Sequence, residues 1–166
     1  MRYELRPTSE SDKEAIRRLN NLCYREVVEV QFGEWDDDLQ RTLFEEKWEL
    51  SHYQKIMCSG RMAGVLAIAV QSDHLFLSEI QIGLDFQGEG LGTAVMTDIL
   101  SDSAGKNLPV RLQVLLKNRA KTLYERLGFV VTGETDTYSR DEPKEVIRAK
   151  IQGAIVDKKP YVRILR

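Results

Sequence analysis

Three glycines stand at alternate positions, Gly88, Gly90 and Gly92, where the apolar pattern changes period. Before them, Leu75 to Ile82 reads as a strand. After them, Leu91, Val95 and Ile99 form one stripe with Met96 and Leu100 beside it, the spacing of a helix. The chain therefore makes a strand-to-helix turn here on almost bare backbone. Glycine lets backbone approach a ligand closely and visit positive φ. Several N–H groups then converge at a helix N-terminus, where the macrodipole favours anions, and a pyrophosphate is the natural guest. A Walker loop would need Lys and Ser or Thr after Gly88, but Glu89 and Gly90 follow. The dinucleotide fingerprint fails as well, because its third glycine comes one residue early. A tight turn with no ligand is the alternative reading of the same residues.

The rest of the chain supplies the frame. Arg2 to Arg6 reads as a strand ended by Pro7, and Ser11 to Glu14 has capping-box spacing. Ala15, Ile16, Leu19, Leu22 and Cys23 then predict a helix to about Val28, and Leu39, Leu43, Phe44 and Trp48 predict a second. Gln31 to Asp38 reads as an acidic link between them. Tyr53 to Cys58, Met62 to Val70 and Leu75 to Ile82 read as three strands joined by short turns, an antiparallel meander. Pro109 to Leu116 predicts a strand, Asn118 a helix cap, Leu123 and Leu127 a short helix ended by Gly128. Phe129 to Thr132 and Thr135 to Ser139 predict strands, Pro143 to Gly153 a helix, and Tyr161 to Leu165 a last strand. The order β-α-α-β-β-β-α-β-α-β is that of an α/β protein, an α+β mixed sheet with helices on both faces.

With 166 residues the chain fits one domain. Residues 1–140 form its main body, and 141–166 a basic extension expected to belong to the same domain. The net charge of -2 argues against a generic nucleic-acid binder. The longest apolar run, Met62 to Val70, is too short for a bilayer, and the N-terminus lacks a signal-peptide stretch, so the chain reads as cytoplasmic. Cys23 and Cys58 make no disulfide framework, and with His52 and His74 they lack metal-ligand spacing, so no metal is expected. Charge is uneven: nine acidic residues face three basic ones from Arg25 to Glu49, and seven basic face two acidic from Lys144 to Arg166. Solvated faces explain both runs, and the basic run is also open to service as a partner-binding arm or dimer element.

Gln87-Gly88-Glu89-Gly90-Leu91-Gly92 resembles the acyl-CoA-binding motif Q/R-x-x-G-x-G/A of the GNAT N-acetyltransferase superfamily. About 30 residues on, Asn118 to Phe129 resembles that family's N…A…LYE-x-x-GF segment. The resemblance is strong from about Leu75 to Val131, and the order of elements extends it from the N-terminus to about Arg140. It implies a GNAT-like acyl-CoA N-acyltransferase fold and an acetyl-CoA-dependent N-acetyltransferase. Direct transfer from acetyl-CoA to a primary amine, expected to belong to a small molecule, is the implied reaction. A protein or peptide acceptor, or a non-catalytic acyl-CoA-binding module, is the alternative.

By the same resemblance, the backbone of Ile80, Gln81 and Ile82 would bond the pantetheine arm, which can mimic a neighbouring strand. Gln87, Gly88, Glu89, Gly90, Leu91, Gly92 and Thr93 would hold the pyrophosphate, with the Glu89 carboxylate turned outward. Asn118 would contact the cofactor arm, cap its helix, or do both. Tyr124 would protonate the leaving thiolate, a task a phenol of pKa about 10 can perform; a packed aromatic is the alternative. The general base is less defined. Glu79, on the strand before the loop, is the candidate, although alternation puts it on the face opposite Ile80 and Ile82. Its apolar sequence neighbours suggest a carboxylate with a raised pKa. Some relatives use a glutamate on the strand before the second motif, but the nearest position here is Gln113, which cannot be a base.

The acceptor site of this fold is usually built by the first two helices and their link. Trp35 and Asp36 are the candidates there, since a carboxylate and a Trp face attract a cationic amine. A polyamine, amino sugar, amino acid or other small amine would suit them. An acidic first turn of the second helix explains the same residues without a ligand. The reading includes no nucleic-acid or membrane partner and allows a homodimer.

Overall fold

The computed structural model describes residues 2–139 and 142–151. The chain divides into two compact units, Met1–Ile68 with Glu79–Ala94, and Ala69–Ser78 with Val95–Arg166.

In the first unit, β1 (Glu4–Pro7) leads through a 3-10 turn (Glu10–Asp12) into α1 (Lys13–Phe32), then α2 (Asp37–Leu50) and β2 (Tyr53–Cys58). β3 (Arg61–Val70) and β4 (Leu75–Ile82) each run through both units. The strand order here is β1-β2-β3-β4, with β1–β2 and β2–β3 antiparallel. The core gathers Ile16 and Leu19 of α1, Phe44 of α2, and Tyr53, Val65 and Ala67 of the sheet, with Cys23, Trp48 and Met62 packed against it. Phe44, Trp48 and Tyr53 stack in sequence, with centroids 6.0 and 5.5 Å apart. The period-four repeat of α2 thus delivers two rings onto the first residue of β2.

In the second unit, β4 pairs in parallel with β5 (Val110–Leu115) through Leu75–Val110, Phe76–Arg111 and Leu77–Leu112. The order continues as β4-β5-β7-β6. α3 (Leu91–Gly105) precedes β5, and α4 (Lys121–Arg126) precedes β6 (Phe129–Ser139). Val95, Met96 and Ile99 of α3 are buried, as are Val110, Leu112 and Val114 of β5. A mixed sheet flanked by helices is the expected architecture.

Some elements differ from the sequence expectations. α1 continues to Phe32, absorbing Gln31 and Phe32 from the acidic link, and stops at Gly33 with φ +91°. The capping contact lies at Ser9, not Ser11: the Asp12 carboxylate accepts the Ser9 N–H at 2.8 Å and the Ser9 hydroxyl at 2.8 Å. Glu14 bonds Arg17 and Arg18 on its own helix instead. The two strands expected after Gly128 are one strand with a register shift between Val131 and Gly133. Pro143 to Gly153 was expected as a helix, but Glu142–Ile151 is β7, antiparallel to both β6 and β5. Glu, Lys and Ala raise helix propensity there. Polar Arg148 and Lys150 nonetheless alternate with Ile147, Ala149 and Ile151, and sheet pairing prevails over propensity. The strand expected at Tyr161 to Leu165 lies outside the described residues. No helix among the described residues is long and apolar enough to cross a membrane.

Candidate active site

The turn after β4 is built as its glycines suggest. Gly83 N–H donates to Ala63 O at 2.8 Å, tying the strand end to β3. A 3-10 turn (Leu84–Phe86) follows, and then Gly88 and Gly90 adopt φ +79° and +84°. A Cβ at either position would meet no atom within 4 Å. Glycine is therefore required by the left-handed backbone, and the space over that backbone is open. α3 begins at Leu91, which is fully buried and anchors the loop, while Glu89 is exposed. The first N–H groups of a helix have no carbonyl one turn back to bond. Here they open onto bare glycine backbone, and the macrodipole adds positive potential. These residues fit a pyrophosphate, and with it the coenzyme A moiety.

At the end of β4 the Ile82 carbonyl already has partners. The Gln87 side chain donates to it at 2.7 Å and the Cys23 thiol at 3.4 Å. Gln87 thus pins the loop back to the strand. Gln81 is buried, and its amide donates to Asn20 Oδ1 at 2.8 Å across to α1. Its own Oε1 is buried with no partner among the described residues.

Glu79 is the most constrained polar residue here. Leu75, Leu77, Glu79 and Gln81 form the buried face of β4, and Ile80 and Ile82 fall on the other. The Glu79 side chain is 3% exposed. It does not lie among apolar groups, as its sequence neighbours suggested. The Tyr24 hydroxyl donates to Oε1 at 2.6 Å, and the Lys47 ammonium donates to Oε2 at 2.8 Å. That ammonium also lies 5.4 Å from the Tyr24 ring centroid. α1, α2 and β4 thus converge on one carboxylate, and a buried charge finds the partners it needs. The nearby Tyr53 phenol is pushed up, first by burial and then by the Glu79 charge, and stays neutral. Tyr24 and Lys47 escaped the sequence reading. The available signals were spacing alone: Tyr24 is one turn beyond buried Asn20, and Lys47 lies three residues beyond Phe44 and beside Trp48.

In the second unit, Asn118 Oδ1 accepts the Ala120 N–H at 2.9 Å, and Asn118 O accepts the Lys121 N–H at 3.1 Å. Asn118 therefore shapes the turn into α4. Tyr124 is buried in α4, its ring 5.5 Å from that of Phe129 and tilted by 56°. Gly128, with φ +85°, lets the chain turn from α4 into β6 and bring Phe129 back beneath the tyrosine.

The acidic link is engaged with its own chain. Asp36 caps α2, accepting the Asp38 and Leu39 N–H groups at 2.9 Å each. The Trp35 indole donates to Asp37 at 2.9 Å, and the Arg25 guanidinium lies 4.8 Å from the Trp35 ring centroid. A cation on Trp35 is thus already present. A groove of about 590 Å³ in the first unit is lined by Thr8, Glu10, Trp48, His52, Tyr53 and Gln54, among others. None of the candidate catalytic, cofactor-binding or acceptor-binding residues lines it. No group of three His, Cys, Asp or Glu among the described residues is arranged to hold a metal ion.

Comparison with known proteins adds to this geometry. The family model for the acetyltransferase (GNAT) domain matches residues 21–141. No curated protein sequence matches the chain at a significant level. Solved structures share its fold. The PaiA N-acetyltransferase of Thermoplasma acidophilum, in complex with coenzyme A, is 15% identical with a TM-score of 0.64, covering 89% of this chain and 98% of that one. The ribosomal-protein-S18-alanine N-acetyltransferase of Escherichia coli is 21% identical with a TM-score of 0.61, covering 88% and 90%. A Salmonella typhimurium acetyltransferase that modifies the N-terminal serine of ribosomal protein L7/L12 is 20% identical with a TM-score of 0.64, covering 91% and 95%.

Proposed function

The chain belongs to the GNAT family of acetyltransferases, and on that premise we propose that it moves an acetyl group from acetyl-CoA directly to a primary amine of a small molecule. The observation that carries the cofactor half is the pair of left-handed glycines, with open space over them, at the start of α3. Acetyl-CoA supplies the activated acetyl thioester. Gln87, Gly88, Glu89, Gly90, Leu91, Gly92 and Thr93 would hold its pyrophosphate chiefly through backbone N–H groups. The backbone of Ile80, Gln81 and Ile82 would take the pantetheine arm. At the Ile82 carbonyl the arm would share or displace the Gln87 amide. Asn118 would add a contact from the turn it already shapes.

Glu79 is the proton sink on the acceptor side, as the carboxylate on which α1, α2 and β4 converge and whose Oε1 is held by a neutral hydroxyl and not by a cation. Tyr124 is the acid for the leaving thiolate, a role that rests on its place in the LYE-x-x-GF segment. Trp35 and Asp36 would draw the acceptor to the link between α1 and α2. For the amine to use Trp35, Arg25 would have to yield its place on the ring. A second reading, a protein N-terminus as acceptor, is favoured by the names of two fold relatives that act on ribosomal proteins. The proposal keeps the chain in the cytoplasm, needs no metal, nucleic acid or membrane, and allows a homodimer.

The test is thermal unfolding with acetyl-CoA, followed by thiol release with two sets of amines. One set is small: spermidine, glucosamine and glycinamide. The other is short peptides with free N-terminal Ala or Ser. Saturating acetyl-CoA at about a hundred times its Kd should stabilise by about 2.7 kcal/mol, a rise of about 5–10 °C for a chain of this size. Turnover of a small amine supports the proposal, turnover of peptides alone moves the assignment to the second reading, and no thermal shift removes both.

A further inference from the structure

The proposed function leaves a gap on the acceptor side. A base must lie within about 2.6–3.2 Å of the proton it removes, or one intermediary away. Glu79 is buried, and each of its carboxylate oxygens already accepts a bond. Among the described residues, the groups that hydrogen-bond the Glu79 carboxylate are the Lys47 ammonium and the Tyr24 hydroxyl. An ammonium has three donors and no acceptor, so it cannot receive a proton from an amine. A phenol hydroxyl donates and accepts at once. Tyr24 is half-buried, less enclosed than Glu79, and donates to it at 2.6 Å.

We propose that Tyr24 is the residue that meets the acceptor amine and relays its proton to Glu79, an inference that rests on the proposed acetyltransferase function. The acceptor arrives as an ammonium. One N–H bond breaks, its proton bonds to Tyr24 Oη, and the Tyr24 hydroxyl proton moves to Glu79 Oε1. The amine lone pair so released forms the new N–C bond to the acetyl carbon as the C–S bond breaks. The second amine proton leaves as the amide forms, and one proton ends on the coenzyme A thiol. Glu79 returns its proton to solvent by the reverse path. Lys47 is a positioning residue, fixing the other carboxylate oxygen and lying against the Tyr24 ring. Among the described residues, the titratable groups facing Glu79 are Tyr24 from α1, Lys47 from α2 and Tyr53 from β2, the last a neutral phenol over the working range.

The experiment compares the full-length wild type with Tyr24→Phe, Glu79→Gln and the double variant, using the best amine of the panel above at saturating acetyl-CoA. kcat/KM for the amine is followed from pH 6 to pH 10. Tyr24→Phe keeps the ring and loses only the hydroxyl. The expected result is a loss of about 100-fold at pH 7, with the acetyl-CoA KM unchanged. The deficit closes as pH approaches the amine pKa, because a deprotonated amine needs no relay. The double variant should be no worse than Glu79→Gln by more than about threefold, as expected of residues acting as one unit. A deficit that persists unchanged to pH 10, additive losses, or a fully active Tyr24→Phe overturns the relay while leaving the acetyltransferase reading intact. A folded wild type that turns over no amine and gains no stability from acetyl-CoA overturns both. Unfolding temperatures of all four proteins guard against a folding defect, and Glu79→Gln, which keeps a Tyr24 partner, carries the pH test if Tyr24→Phe is unstable.

Discussion

Gly64 offers the sharpest link between the packing of the sheet and the cofactor site. It lies in β3, buried, at a place where a Cβ would come 2.2 Å from the Gln81 carbonyl oxygen and 3.2 Å from Ile82 Cδ1. Real Cβ contacts essentially never fall below 3.0 Å, so Gly64→Ala must move backbone on one strand or the other by close to an ångström. The obstacle is backbone, which cannot rotate aside as a side chain can. Overpacking costs about 1–3 kcal/mol, and a backbone obstacle puts this site near 3. Replacing glycine recovers about 0.4–1 kcal/mol by restricting the unfolded chain. The net loss is about 2 kcal/mol, or a fall in Tm of about 4–8 °C. The displaced carbonyl is next to Ile82, whose own carbonyl holds Gln87 and through it the glycine loop. The acetyl-CoA KM should therefore rise several-fold. Urea unfolding and thiol-release kinetics read the two effects. Gly60→Ala is the control: φ is +76° but no atom lies within 4 Å, so it should lose about 1–2 kcal/mol from strain with the acetyl-CoA KM unchanged. A Gly64→Ala protein within 0.5 kcal/mol of wild type, with an unchanged KM, would refute the reasoning.

Other substitutions separate roles that overlap in one residue. Asp36→Ala should cost about 0.5–2 kcal/mol through loss of the α2 cap. Asp36→Asn keeps a capping oxygen and removes the charge, so a raised acceptor KM without loss of Tm would assign Asp36 to acceptor attraction, and an unchanged KM would leave it a cap. Tyr124→Phe preserves the packing on Phe129, so kcat should fall about 100-fold while the acetyl-CoA KM holds; an unchanged kcat would remove Tyr124 from the chemistry. The Asp12 carboxyl is held down to about 2 by the Lys55 ammonium and by the Ser9 N–H and hydroxyl, against an ordinary value of 3.8. A carboxyl depressed by folding stabilises above its unfolded value and loses that contribution as pH falls through the folded one. Wild-type Tm should thus drop between about pH 4 and pH 2, and Asp12→Asn should flatten that limb; parallel curves would show that the contact contributes nothing.

Local patterns with a fixed period were the most legible part of the fold. Tyr53–Cys58 and Leu75–Ile82 run as expected because their apolar residues and turns agree with each other. Leu91, Val95 and Ile99 are all buried on α3, as a helical stripe requires. Boundaries were less legible where two signals compete. Gln31 and Phe32 belong to α1 because Gly33, at positive φ, stops the helix more decisively than the polarity of the link does. β7 runs against the single-residue preference of its chain for helix, because its alternation suits a strand and both β6, immediately before it, and β5, on its other edge, pair with it.

The candidate site divides along the same line. The glycine loop was legible because its chemistry is backbone chemistry, written in consecutive residues whose φ values only glycine adopts readily. The surroundings of Glu79 were not, because they depend on which residues α1 and α2 turn towards β4. Alternation along β4 gave the face on which Glu79 lies, and that face is indeed opposite Ile80 and Ile82. What meets the carboxylate comes from 55 and 32 positions earlier in the chain. Neither partner has a residue type that announces the contact. A tyrosine among apolar helix residues reads as packing, and a lysine on an acidic helix reads as a surface ion pair. Only burial tells them apart from those ordinary uses, because an ionised carboxylate withdrawn from water must be met by donors. That necessity makes the Tyr24 hydroxyl a partner of Glu79, and the proposed relay turns a residue missed by the sequence into the most direct test of how the reaction begins.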